Sequence, residues 1–153
     1  MLASVATLPV LGLDLPAAPD FDVRTDTGRR IRLADYRGKI LLLTFWATWC
    51  PHCRRQIAAM EKLRASYAKN NIEMLALSVD KEGWHKVAPY LEEHKLLLPV
   101  AIADQRIQQQ YQVTSGIPLS YIINQEGKVV KDFRGALDED VLKRLNEAIA
   151  RSL

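Results

Sequence analysis

Cysteine is almost absent from this chain: there are two among 153 residues, Cys50 and Cys53. Two cannot build a disulfide framework, and alone they cannot complete a four-cysteine zinc site. Long hydrophobic runs are missing as well. The longest uncharged stretches, Met1–Leu13 and Ile40–Cys53, fall short of the ~18 apolar residues of a spanning helix, and Pro9 and Gly12 interrupt the first. Charge of one sign is scarce. Lys plus Arg number 21 against 18 Asp plus Glu, a net charge of +3. Nucleic acid demands concentrated basic surface, so no such partner is expected.

What is present is ordinary globular composition, 48% hydrophobic and 25% charged, which excludes a wholly disordered or collagen-like chain. At roughly 150 residues per domain the length indicates one domain. A chain this long buries about 70% of the surface it exposes when unfolded, enough to hold a core without staples. Residues 1–18 are rich in Pro and Ala without a sustained period, which predicts an arm or linker ahead of a domain over 19–153. No basic segment precedes the apolar start. A mature or trimmed N-terminus, with Met1 added for expression, is therefore expected ahead of a natural apolar tail, and no membrane anchor is visible.

From Phe21 the pattern becomes structured. FDVR, a turn at Thr25-Asp26-Thr27-Gly28 and RIRL predict a β-hairpin. After a break at Tyr36-Arg37-Gly38-Lys39, Ile40–Trp46 is continuously apolar, as in a strand covered on both faces. Pro51 suits a first helical position, where its missing N–H would be unpaired anyway. Ile57, Met60, Leu63 and Tyr67 continue that helix as an apolar stripe until Asn70-Asn71. A buried strand over 73–79, a helix from about Gly83 to His94 and a short strand at 100–103 follow. The helix 105–111, strands at 119–123 and 128–133, and a final helix capped by Asp138 complete the order. Strands alternating with helices and ending in a hairpin predict an α/β chain with a mixed sheet between helical layers.

Both cysteines fall in Trp46-Ala47-Thr48-Trp49-Cys50-Pro51-His52-Cys53-Arg54, a C-x-x-C between a buried strand and a helix. There Cys50 meets the unpaired N–H groups and positive end of the helix, which stabilise a thiolate. The thiolate is the species that attacks disulfides. Cys53, one turn along, is spaced to close a disulfide with Cys50, and a protonated His52 would stabilise the thiolate further. Rival readings stand beside this one. A structural disulfide would close only a tiny loop and remove little chain entropy. Haem attachment requires His after the second cysteine, and Arg54 stands there. Cys50, Cys53 and His52 could hold a soft metal such as Cu(I) in a copper-binding metallochaperone, although no partner C-x-x-C exists.

The segment TFWATWCPHC resembles the active-site strand and turn of thioredoxin-like proteins. Within them the chain is most similar to the TlpA/ResA/CcmG group of extracytoplasmic thiol-disulfide oxidoreductases. FDVRTDTGRRIRLADYRGKILLLTFWA resembles that group's N-terminal hairpin, and LSVDKEGWHKVAPYLEEHKLLLPVAIADQ its strand–helix insertion. The stretch from Gln110 to Pro118, followed by YIINQEGKVV, resembles its cis-proline loop and closing hairpin. The resemblance covers about residues 19–151. It implies a thioredoxin fold, catalysis by Cys50 and Cys53, and a cis-Pro118 facing them. It also implies that backbone at Ile117 receives an extended substrate segment. Trp49, beside Cys50, is expected to shape the contact surface, while Trp46, Trp84 and Tyr90 pack. The arginines at 24, 29, 30, 32 and 37, with Asp26 and Asp35 among them, are expected on a solvated face.

Departures from the group are informative. The buried Asp and Lys of thioredoxins proper align with Thr44 and Ala76, and a Glu common in ResA relatives aligns with Gln56. No obvious carboxylate remains to take the Cys53 proton. No kinking proline follows the motif at Ile57-Ala58-Ala59, so a straighter helix is expected. Pro51-His52 matches the Cys-Pro-His-Cys turn of DsbA-type oxidases, implying a redox pair more oxidising than thioredoxin. Peroxiredoxins share the fold but need Thr or Ser where Ala47 stands, which weighs against the other rival, a thiol peroxidase. The resemblance implies no cofactor and no metal. Its partners are protein thiols or disulfides and a redox partner protein, such as a membrane electron donor or an oxidase. The implied location is periplasmic or extracytoplasmic.

Overall fold

A computed structural model describes residues 14–152. Its strands are β1 (Asp22–Arg24), β2 (Arg30–Arg32), β3 (Ile40–Trp46), β4 (Ile72–Ser78), β5 (Val100–Ile102), β6 (Leu119–Ile123) and β7 (Val129–Arg134). Its helices are α1 (Pro51–Lys69), α2 (Trp84–His94), α3 (Gln105–Gln110) and α4 (Glu139–Ser152). The break expected at Tyr36–Lys39 begins earlier, because Leu33–Tyr36 form a 3₁₀ turn. Leu33 is buried in that turn, and the Asp35 carboxylate accepts the Arg32 N–H at 2.8 Å.

Five strands form one mixed sheet in the order β5-β4-β3-β6-β7, and β1-β2 form a separate hairpin. β3 runs parallel to β4 and antiparallel to β6, which sets Thr44 between Ala76 and Ser120. Side chains alternate faces along a strand. Leu42 and Trp46 therefore join Ile57, Met60, Leu63 and Tyr67 of α1 and Leu142 of α4 in one core. Leu41, Leu43 and Phe45 join Phe21, Val23 and Ile31 of the hairpin and Ile107 of α3 in the other. The unbroken apolar run of β3 reflects this double cover. Burial of each such large side chain contributes about 1.5–3 kcal/mol.

The edges are covered by backbone from outside the strands. Thr25 bridges Ala101 of β5, and Ala17 bridges Lys128 just before β7. The Val129 N–H donates to Pro16 O at 2.8 Å, and the Ala18 N–H to Gly127 O at 2.9 Å. Of the arm expected over 1–18, positions 1–13 lie outside the described residues, and residues 16–18 run along the sheet edge instead of leaving it. The arginine-rich hairpin is the expected solvated face, with Arg24, Asp26, Arg29, Arg30, Arg32 and Asp35 exposed, and it is laced by Arg30–Asp22 and Arg32–Asp35 ion pairs.

α1 runs unbroken for 19 residues and is tied to α4 by polar contacts. Tyr67 donates its hydroxyl to Leu142 O at 2.6 Å, and Asn146 links Asn70 and Ser66. α2 and β5 are the expected strand–helix insertion. No helix among the described residues is long and apolar enough to cross a membrane.

Candidate active site

The site lies where β3 hands over to α1. Trp46 ends the strand inside the core, and the Cys50 N–H donates to Ala47 O at 3.2 Å, closing a turn. Cys50 is the N-cap of α1, with extended φ and ψ of −97° and 110°, and Pro51 follows in the first helical position. Proline there loses no intrahelical bond. The Cys53 N–H donates to Cys50 Sγ at 3.3 Å, so the sulfur receives one of the helix's unpaired donors. Cys50 and Cys53 are joined as a disulfide, with Cα atoms 5.2 Å apart. Both sulfurs are largely buried, and Trp49 beside them is 66% exposed.

The opposite wall is the loop before β6. The Ile117–Pro118 peptide is cis, and Ile117 O lies 3.9 Å from Cys50 Sγ. Gly116, at φ +134°, supplies backbone that residues with a Cβ rarely adopt. Pro118 is buried and Ile117 half-buried, so the carbonyl edge of Ile117 is what this loop presents to the cysteines. Trp84 and Tyr90 of the insertion pack from α2, the Tyr90 ring centred 5.3 Å from that of Trp46.

The first turn of α1 contains no acidic residue. His52 is exposed, and Arg55 lies with its guanidinium nitrogen 2.6 Å from His52 Nδ1. Arginine only donates, so Nδ1 is the acceptor in this contact. Arg54 and Arg55 place cationic charge beside the motif, and sequence reasoning had not singled them out. Neither forms an ion pair among the described residues.

Beneath the cysteines lies a polar cluster in place of the Asp–Lys pair. Gln56, 1% exposed, donates to Ser120 Oγ at 2.9 Å and Thr44 Oγ1 at 3.2 Å, and accepts the Leu137 N–H at 2.8 Å. The hydroxyls of Thr44 and Ser120 are 2.9 Å apart. Every member finds a partner, as buried polar groups must. Beside Gln56, a groove of about 420 Å³ opens between α1 and the β7–α4 connection, with Ala58, Ala59 and Leu137 in its wall.

A second polar cluster braces the turn itself. Asp80, 4% exposed, accepts the Thr48 N–H at 3.0 Å and the Thr48 and Ser78 hydroxyls at 2.6 Å each. The expectation of no carboxylate near the motif holds for the aligned positions Thr44 and Gln56, but Asp80 arrives from the end of β4. An acidic residue ending a buried apolar strand was the available signal. Among the described residues no three His, Cys, Asp or Glu side chains converge as a metal site would require. His85 and His94 sit on α2, away from the motif in sequence.

The comparisons agree with one another. The chain matches the AhpC/TSA family over residues 16–132. The thiol-disulfide oxidoreductase ResA of Geobacillus thermodenitrificans is 35% identical over 133 residues, covering 86% of this chain and 75% of that protein. The thioredoxin-like protein YneN of Bacillus subtilis is 36% identical over 116 residues, covering 75% and 67%. Among solved structures, a thiol:disulfide interchange protein of the thioredoxin family from Chlorobium tepidum superposes with a TM-score of 0.79, covering 89% of this chain and 97% of that one. At 24% identity that likeness concerns the fold alone.

Proposed function

The chain belongs to the AhpC/TSA family and, within it, to the thiol-disulfide oxidoreductases of the ResA type, and we propose that Cys50 and Cys53 are its catalytic pair, exchanging disulfides with protein thiols. The observation that carries the reading is the Cys50 sulfur at the start of α1, accepting the Cys53 N–H at 3.3 Å and lying 3.9 Å from Ile117 O. In the oxidising direction a substrate thiolate attacks Cys50 Sγ and the Cys50–Cys53 bond breaks. Cys53 leaves with the electron pair and takes up a proton. A second substrate thiolate then attacks the substrate sulfur of the mixed disulfide and releases Cys50 as thiolate. The substrate is oxidised by two electrons, and the protein ends as a dithiol. Reduction is the same sequence reversed, with Cys50 as nucleophile and Cys53 resolving.

The redox pair is more oxidising than that of thioredoxin. Pro51 and His52 tune the turn, and the acid-free first turn with Arg54 and Arg55 adds positive charge near Cys50. A stabilised thiolate stabilises the reduced form, which makes the disulfide the stronger oxidant. Ile117 and Pro118 receive an extended substrate backbone by strand addition, and exposed Trp49 covers it. The chain has no third cysteine to pass electrons onward, so turnover calls for a redox partner protein, such as a membrane electron donor or an oxidase. A disulfide-forming compartment outside the cytoplasm, the periplasm for example, suits this chemistry.

Equilibration with glutathione tests the reading. A potential less negative than the roughly −270 mV of thioredoxin is expected, and one at or below that value rejects the oxidising assignment. In cell extracts, the Cys53→Ser variant should accumulate mixed disulfides through Cys50; a variant that never traps partners overturns the mechanism.

A further inference from the structure

Among the described residues Asp80 is the only carboxylate or basic side chain in the buried interior. It forms no ion pair there, and its three donors are all neutral: the Thr48 N–H, the Thr48 hydroxyl and the Ser78 hydroxyl. Its own N–H returns to Ser78 Oγ at 3.0 Å, which holds the carboxylate at one angle over the end of β4. A buried charge needs such donors, because desolvation otherwise costs far more than folding can supply. The chain joins this carboxylate to the reacting sulfur by a short path. Val79 donates to Trp46 O at 2.8 Å, locking the ends of β4 and β3 together, and Thr48 lies between Ala47 and Cys50 in the turn closed by the Cys50 N–H.

We propose that Asp80 is a positioning residue for Cys50, clamping the Ala47–Cys50 turn while its unneutralised charge opposes the Cys50 thiolate and holds the disulfide's oxidising power in check. The inference rests on the Cys50–Cys53 exchange reading. Other charged groups on these elements include Arg54 and Arg55 on α1, Lys81 and Glu82 after Asp80, and Glu93 on α2, which acts on Tyr90 together with Arg54. The Gly116–Pro118 loop contributes none. Among the described residues Asp80 is thus the buried negative group, braced against the turn that carries Cys50 and away from water, where charge interactions are least screened.

Two variants separate charge from scaffolding. Asp80→Asn removes the charge but keeps the size and an acceptor for the Thr48 N–H, since hydroxyls can turn to accept from the amide. Its equilibrium with glutathione should move about tenfold toward the dithiol protein, about 30 mV for a two-electron couple. Thr48→Val keeps the charge and removes one neutral donor, leaving the carboxylate less compensated. It should move the equilibrium the other way, toward the disulfide. A shift toward the dithiol in Asp80→Asn together with a shift toward the disulfide in Thr48→Val supports the proposal, and the reversed pair overturns it. Shifts of the same sign, or none in either variant, overturn it, because loosening the turn alone moves both alike. If Asp80→Asn does not fold, an unshifted or reversed Thr48→Val equilibrium is sufficient to reject it. A parent protein that does not equilibrate with glutathione at all overturns the exchange reading instead.

Discussion

Ser120 Oγ lies 2.9 Å from Gln56 Nε2, across the helix–sheet interface and 64 positions away in the chain. That contact, with Gln56 accepting the Leu137 N–H at 2.8 Å, joins α1, β6 and the segment before α4 directly below the cysteines. The helix that carries the motif is thereby fixed against the sheet by a neutral amide.

Replacing Gln56 by Leu should therefore destabilise the protein by about 1–3 kcal/mol, because a buried backbone N–H is left without its acceptor. Urea denaturation measures this. An unchanged midpoint would mean that the amide does not tie the three elements together.

Trp49 has the opposite profile, exposed at 66% beside a buried sulfur. Trp49→Ala should alter stability by no more than about 0.5 kcal/mol, as exposed substitutions do. Exchange with a protein substrate should slow about fivefold or more, the weight of an interface aromatic worth ~1 kcal/mol or more. Exchange with a small dithiol should be retained. Equal loss with both substrates would assign Trp49 to the turn itself and not to substrate contact.

Glu139 gives a pH-dependent prediction. Hydrogen bonds from Lys62, at 3.0 Å, and then from Lys143, at 3.1 Å, hold its carboxyl below the ordinary value of 4.5. A carboxyl lowered in the folded state stabilises above its unfolded value, and that contribution is lost as pH falls through the folded one. Lys62→Met should accordingly be the less stable protein at neutral pH, with the difference shrinking at an acidic pH below the lowered folded-state value, where Glu139 is protonated in parent and variant alike. Paired urea midpoints at the two pH values check the sign. Salt should shrink the neutral-pH difference too, since the pair is exposed.

Much of the architecture was readable from local pattern. β3 is observed at the predicted Ile40–Trp46, and α1 starts at Pro51 and stops before Asn70. Both follow from signals within a few residues: an apolar run, a proline suited to the first turn, and a stripe at three- and four-residue steps. The 3₁₀ turn at Leu33–Tyr36 was missed because its signal is a single short-range carboxylate contact, from Asp35 to the Arg32 N–H.

Cys50 and Cys53 were legible for the same local reason. Their separation, the preceding strand and the following proline place a sulfur on a helix N-terminus whatever the rest of the chain does. The His52 environment was not, because the partner of an exposed side chain depends on which neighbours the helix brings alongside, and Arg55 takes Nδ1. Asp80 reaches Thr48 over 32 positions, Ile117 meets Cys50 over 67, and Gln56 meets Leu137 over 81. Periodicity says which face of a strand or helix is buried and so indicates the α/β class, while the C-x-x-C spacing between a strand and a helix marks the redox motif. Which polar atoms share that buried space depends on the register of strands distant in sequence and on how helices pack over them. The Ile117–Pro118 wall opposite the sulfur was expected from the family resemblance and not from local pattern, whereas the contacts of the amide below it and of the carboxylate bracing its turn were decided by tertiary structure alone.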